Sequence, residues 1–142
     1  MEHNEIIDIL QHTGCSCVIA HGDSIRLCHR RGVVDLLEIL RHEPDVLNEA
    51  FIADKVVGKG AAALMVLGQV RDVYAEVISE PALNMLREAG IPVGYAQLVP
   101  SIINRGGSGP CPVEALCASC ATAIQCLPLI ENFVDRINSN NN

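Results

Sequence analysis

Residues 51–80 read FIADKVVGKGAAALMVLGQVRDVYAEVISE, and this run decides the fold class. Phe51 to Val56 is an apolar strand that carries Asp54 and Lys55 and leads to a lysine, Lys59, flanked by Gly58 and Gly60. Gly58 to Gly68 has apolar residues on every side (Ala61 to Leu67), which predicts a helix buried all round. Val73 to Ile78 is apolar on both faces apart from Glu76, the pattern of a parallel strand under two helical layers. A strand that delivers charged residues to a glycine turn at a helix start is how α/β proteins present chemistry.

Working outward, Ile6, Ile7, Ile9 and Leu10 have helical spacing between Glu5 and His12. Cys15 to Ala20 reads as a strand, His21 to Ser24 as a turn, and Ile25 to Cys28 as the returning strand of a hairpin. Val33 to Leu40 is an amphipathic helix stopped near Pro44. On the other side, Ser79-Glu80-Pro81 opens a helix that Gly90 ends, and Ile91 to Val99 is a last strand. A loop from Ser101 to Gly109 leads to Pro110-Cys111-Pro112-Val113-Glu114, a helix start with Cys111 at the cap. Pro128 is expected to break or kink that helical region, leaving a short final helix from Leu129 to Ile137. The order α-β-β-α-β-α-β-α-β-α predicts a three-layer α/β/α domain with a mixed five-stranded sheet. It spans residues 1–138, with a Cys-rich helical extension over about 111–138 and a disordered tail at 139–142.

At 142 residues and 49% hydrophobic content, one domain with an ample core is expected. No apolar run approaches the ~18 residues that span a bilayer, and the first five residues are not a signal peptide, so a cytoplasmic protein without membrane contact is expected. The net charge of −7, the 3% aromatic content and the lack of Trp argue against nucleic acid as a partner. Seven cysteines without an export signal read as free thiols, metal ligands or redox groups rather than a disulfide frame.

A hairpin followed by parallel strands is the element order of the cytidine-deaminase-like fold. The segments ADKVVGKGAAALMVLG (53–68), ISEPALNMLREAGI (78–91), LVPSIINRGG (98–107) and PCPVE (110–114) resemble a small bacterial family of unknown function assigned to that fold. The resemblance implies a pocket at the carboxyl ends of the strands. Zinc deaminases of this fold carry His-x-Glu or Cys-x-Glu at the second helix and Pro-Cys-x-x-Cys at the third. Here the corresponding starts read Arg31-Gly32-Val33 and Asp54-Lys55-Val56-Val57-Gly58-Lys59, and Pro110-Cys111 is followed by Glu114 where a second cysteine would stand. No deaminase-type zinc and no zinc hydrolysis are therefore expected.

The expected polar lining of that pocket is Asp54, Lys55, Gly58, Lys59, Arg31, Ser79, Glu80, Asn104, Arg105 and Glu114. Free N–H groups at the glycines, with Lys59 and Arg105, favour a small anionic or nucleotide-like ligand. The competing reading makes Asp54 and Ser79 helix caps, sends the lysines to solvent and pairs Arg105 with Glu80 or Glu114. Asp54 and Lys55 are candidate catalytic groups or simply an ion pair. Cys111 at a helix N-terminus is a candidate activated thiol, or a buried small hydrophobe. Cys117 and Cys120 share a helix face and are candidate metal ligands, joined by Cys111 and Cys126 only where the helix breaks or two chains meet. Three functions are compatible with these residues: a small-molecule pocket, a metal, iron–sulfur or sulfur-transfer protein on the C-terminal cysteines, and a homodimer using its apolar helices. The five histidines form no motif.

Overall fold

The sheet is set by the hairpin. Cys17–His21 (β1) and Ser24–Cys28 (β2) pair antiparallel around a two-residue turn, His21 opposite Ser24. Phe51–Val57 (β3) pairs antiparallel with β1, and Asp72–Ser79 (β4) and Val93–Val99 (β5) continue the sheet in parallel, giving the order β2-β1-β3-β4-β5. The computed structural model describes residues 2–30, 33–103 and 111–140. The expected mixed five-stranded α/β arrangement is therefore the observed one.

Alternation along β1 and β3 divides two cores. Val18, Phe51 and Ala53 face His3–His12 (α1), whose Ile6 and Leu10 are fully buried against them. His3 at the start of α1 stacks on Phe51 at 3.8 Å and reaches Asp72 at 3.1 Å, the partner that sequence spacing did not reveal. Cys17, Ile19 and Ile52 face the larger core, shared with Val34–His42 (α2), Lys59–Leu67 (α3) and Glu80–Glu88 (α4). Every residue of α3 from Lys59 to Met65 is buried, as its lack of a polar face requires.

α4 is bounded as its sequence indicates. Ser79 Oγ accepts the Ala82 N–H at 3.2 Å. At the other end Gly90, at φ +77°, lets the Gly90 and Ile91 N–H groups bond the Arg87 and Leu86 carbonyls, a Schellman stop. The two helical layers are unequal: α1 packs chiefly on β1 and β3, whereas α2, α3 and α4 share the larger core on the other face. β5 forms the sheet edge, and Tyr95 and Leu98 on it remain 38% and 39% exposed.

The C-terminal segment departs from expectation. Pro112–Cys117 (α5) is followed by a turn and then by Ala123–Asn140 (α6), which runs through Pro128 instead of stopping there. The ring removes the N–H that would have met the Ile124 carbonyl. Ile124 lies in the first turn and is 62% exposed, so that carbonyl can bond water. Buried Ile130 and Val134, with Arg41 of α2 reaching Glu131 and Asp135 at 3.1 and 3.2 Å, hold the rest of the helix in place. Ser139 and Asn140 belong to α6, and only residues 141–142 of the expected tail fall outside the described residues. No described helix is long and apolar enough to cross a membrane.

Candidate functional site

The carboxyl end of β3 turns into α3 through Gly58, the N-cap. The first N–H of α3, that of Lys59, is one of the donors a helix start leaves without an internal partner. Glu114 from α5 supplies the acceptor, its Oε2 lying 2.5 Å from Lys59 N. A carboxylate here meets both a hydrogen bond and the positive end of the α3 dipole. The two glycines make the approach feasible. A Cβ on Gly58 would stand 2.8 Å from Glu114 Oε2, and one on Gly60 would stand 2.3 Å from Val113 Cγ1.

Above this contact lies a pocket of about 380 Å³. Val56 of β3, Val33 at the start of α2, Ile102 and Ile103 after β5, and Phe133 and Ile137 of α6 line it, with Gly58 and Gly60 exposing backbone between them. Among the described residues its ionisable side chains are Cys111 and Glu114. Glu114 is 6% exposed, and its Oε1 is buried with no hydrogen-bond partner among the described residues.

The other expected site residues are distributed differently. Lys59 is buried, and its ammonium donates to the carbonyls of Ala118 at 3.2 Å and Cys120 at 2.7 Å, so it pins the turn between α5 and α6. Asp54 lies within β3 beside Cys17 of β1 and does not line the pocket. Its Oδ1 accepts the Val56 N–H at 3.2 Å. Burial pushes its pKa up to about 7, against the backbone N–H bonds of Val56 and Lys55 and the Cys17 thiol, which pull it down. Lys55 comes directly after Asp54 in a strand, so the two side chains leave opposite faces and cannot act as a pair. The β-branched residues Val56 and Val57 extend the strand past both of them, so neither reaches the turn. Ser79 is the α4 cap, and Glu80 lines a second cleft, also about 380 Å³, with Lys59, Asn84, Glu88 and Cys120. Arg31, Asn104 and Arg105 fall outside the described residues.

A family model described as "TM1506: Domain of unknown function (DUF1893)" matches residues 5–134. The chain belongs to the DUF1893 family. Its fold is similar to the crystal structure of a DUF1893 family protein (TM1506) from Thermotoga maritima, with a TM-score of 0.83 and 24% identity over 93% of this chain and 91% of that one. No functionally curated protein matches. These likenesses show the family and the fold, and the chemistry of this DUF1893 chain has to be read from its own side chains.

Among the described residues, Cys111 and Glu114 give the pocket two groups where a catalytic zinc takes three protein ligands, and one oxygen of Glu114 is already bonded to Lys59 N. Cys111 caps α5 without a side-chain hydrogen bond, and a helix of six residues offers its thiol little dipole.

Cys117 and Cys126 are buried in the larger core, and Cys120, in the turn between α5 and α6, packs against the same core. Burial pushes the Cys126 and Cys117 thiols up, and the neighbouring Cys117 raises Cys126 further. Among the described residues no group of three or more His, Cys, Asp or Glu side chains is arranged around a metal position.

Sequence reasoning missed the role of Glu114 as the partner of the α3 terminus and the contribution of α6 to the pocket wall. Glu114 is the third residue of its helix, a position whose carboxylate ordinarily turns back to its own cap. The signal for α6 was the apolar spacing of Ile130, Phe133, Val134 and Ile137.

Proposed function

We propose that this chain binds a small molecule in the pocket at the carboxyl end of β3, and that the ligand has an apolar body carrying one hydrogen-bond donor. Glu114 Oε1 carries the reading: it is a buried carboxylate oxygen without a partner among the described residues, in a pocket walled mainly by Val, Ile and Phe. An unsatisfied buried acceptor costs about 1–3 kcal/mol, and a ligand N–H or O–H supplies the missing bond. The volume of about 380 Å³ falls within the range of small-ligand sites.

The glycine-flanked lysine suggested an anionic or nucleotide-like ligand. Two features favour a donor instead. Glu114 holds the α3 N-terminus, where an anion would bind, and the Lys59 ammonium is bonded to two carbonyls. We infer also that the fold is cytidine-deaminase-like, on the support of its hairpin-first order, with Asp54 to Lys59 standing where the deaminases carry metal ligands.

Thermal shift against a panel of small apolar amines and alcohols, with nucleotides and sugar phosphates alongside, tests the reading. A compound at 100 times its Kd adds about 2.7 kcal/mol, a shift of several degrees. Amines or alcohols are expected to raise Tm, and Glu114→Gln is expected to lower their affinity roughly tenfold or more, because an amide N–H₂ then faces the ligand's donor. Stabilisation by phosphates alone, unchanged in Glu114→Gln, would overturn it.

A further inference from the structure

Cys111 lines the same pocket as Glu114, and among the described residues it is the one cysteine that does. It is partly exposed, whereas Cys15, Cys17, Cys28, Cys117 and Cys126 are buried and Cys120 lines the other cleft, with Lys59 and Glu80. Cys111 is the N-cap of α5 and Glu114 its third residue, the spacing at which two residues meet in a capping box. That box is not formed. The Cys111 N–H bonds the Ile102 carbonyl at 2.8 Å, and Glu114 Oε2 accepts the Lys59 N–H instead. One apolar chamber is therefore lined by a thiol and by a residue whose buried Oε1 has no partner among the described residues.

We propose that Cys111 is a nucleophile for a small apolar aldehyde, and that the hydroxyl made by its addition is the donor Glu114 Oε1 lacks. The inference rests on the pocket proposed above and names the chemistry of its occupant. Glu114 Oε1 accepts the thiol proton, and the sulfur lone pair forms the S–C bond at the aldehyde carbon. The π pair of the C=O bond moves onto oxygen, which takes the proton back from Glu114. Cys111–SH and RCHO thus become Cys111–S–CH(OH)–R, with no leaving group and no change in the number of electrons. The new hydroxyl then donates to Oε1.

The surroundings select this class of substrate. Val33, Val56, Phe133 and Ile137 suit an alkyl body, and among the described residues the pocket has no cation to pair a charged one. The Lys59 N–H, a helix-start donor that could have steadied an oxyanion, is taken by Glu114 Oε2. An oxygen that gains charge here is therefore neutralised by a proton, and Glu114 is the group that can return one. Addition ends with a bonded acceptor where the empty pocket leaves an unsatisfied one.

The test is to titrate the reduced full-length chain with 3-methylbutanal labelled with ¹³C at its carbonyl carbon. A new ¹³C resonance of a carbon bearing both oxygen and sulfur is expected, absent in Cys111→Ser, retained in Cys120→Ser and needing roughly tenfold more aldehyde in Glu114→Gln. In the unmutated chain the aldehyde is expected to slow alkylation of Cys111 by iodoacetamide, mapped by mass spectrometry, and to leave Cys120 unprotected. Circular dichroism verifies that each variant is folded. Thermal shift with 3-methylbutan-1-ol separates this inference from the pocket reading, because the alcohol needs Glu114 but no thiol and should still stabilise Cys111→Ser. No adduct in the unmutated chain, an adduct that survives Cys111→Ser, or one formed equally well in Glu114→Gln would overturn the aldehyde chemistry. Failure of the alcohol to stabilise the unmutated chain would overturn the pocket reading and this inference with it.

Discussion

Asp54→Asn should stabilise this protein at neutral and alkaline pH, and the gain should vanish in acid. Asp54 is 6% exposed in the middle of the sheet, and burial lifts its pKa from 3.8 to about 7. The folded chain thus retains a proton between these values that the unfolded chain has released. Fewer protons bound in the unfolded state means that stability falls as pH rises, by about 1.4 kcal/mol per pH unit. The contribution is fully present below pH 3.8 and is lost once pH passes about 7. Over roughly three units the loss is on the order of 4 kcal/mol. Asn has nearly the same shape, retains an oxygen for the Val56 N–H and has no charge to bury. Urea unfolding of both proteins at pH 5, 6, 7 and 8 should show the variant's advantage growing by about 2 kcal/mol between pH 5 and 7, then levelling towards pH 8. A pH-independent difference, or a variant less stable than wild type at pH 8, would refute the reasoning by showing that the carboxylate is ionised and compensated in the fold.

Other substitutions probe the contact between α3 and α5. Gly60→Ala places a Cβ 2.3 Å from Val113 and should cost about 1–3 kcal/mol in denaturant unfolding. Gly94→Ala, whose nearest neighbour would be 3.8 Å away, serves as the control and should be near neutral. Lys59→Met removes the donor for the Ala118 and Cys120 carbonyls; a loss of about 1–2 kcal/mol and faster amide exchange over 118–122 are expected.

Local signals were legible in the sequence. The hairpin, the β3–α3–β4 run and the Ser79 and Gly90 boundaries each rest on residues within a few positions of one another, and the structure has them all. Contacts between distant segments were not legible. Glu114 and Lys59 are 55 residues apart, and nothing near Glu114 announces a bond to the start of another helix. Asp54 and Lys59 looked like site residues because a charge in an apolar run is conspicuous. Their environments come from β1 and from the α5–α6 turn, which local pattern does not specify. Pro128 obeyed no local stop rule because packing of Ile130 and Val134 outweighs one lost hydrogen bond. The packing of Cys117, Cys120 and Cys126 about one core required a break in the helix, a condition the spacing stated but could not decide.

The most direct measurement of the pocket is a ¹H–¹⁵N titration of the protein with the strongest-shifting amine or alcohol of the thermal panel. Perturbed amides should cluster at Val56, Gly58, Gly60, Cys111, Phe133 and Ile137, and the same titration of Glu114→Gln should require roughly tenfold more ligand or above. Perturbations centred elsewhere, or an affinity unchanged by Glu114→Gln, would contradict a ligand site built around the unpartnered oxygen of Glu114.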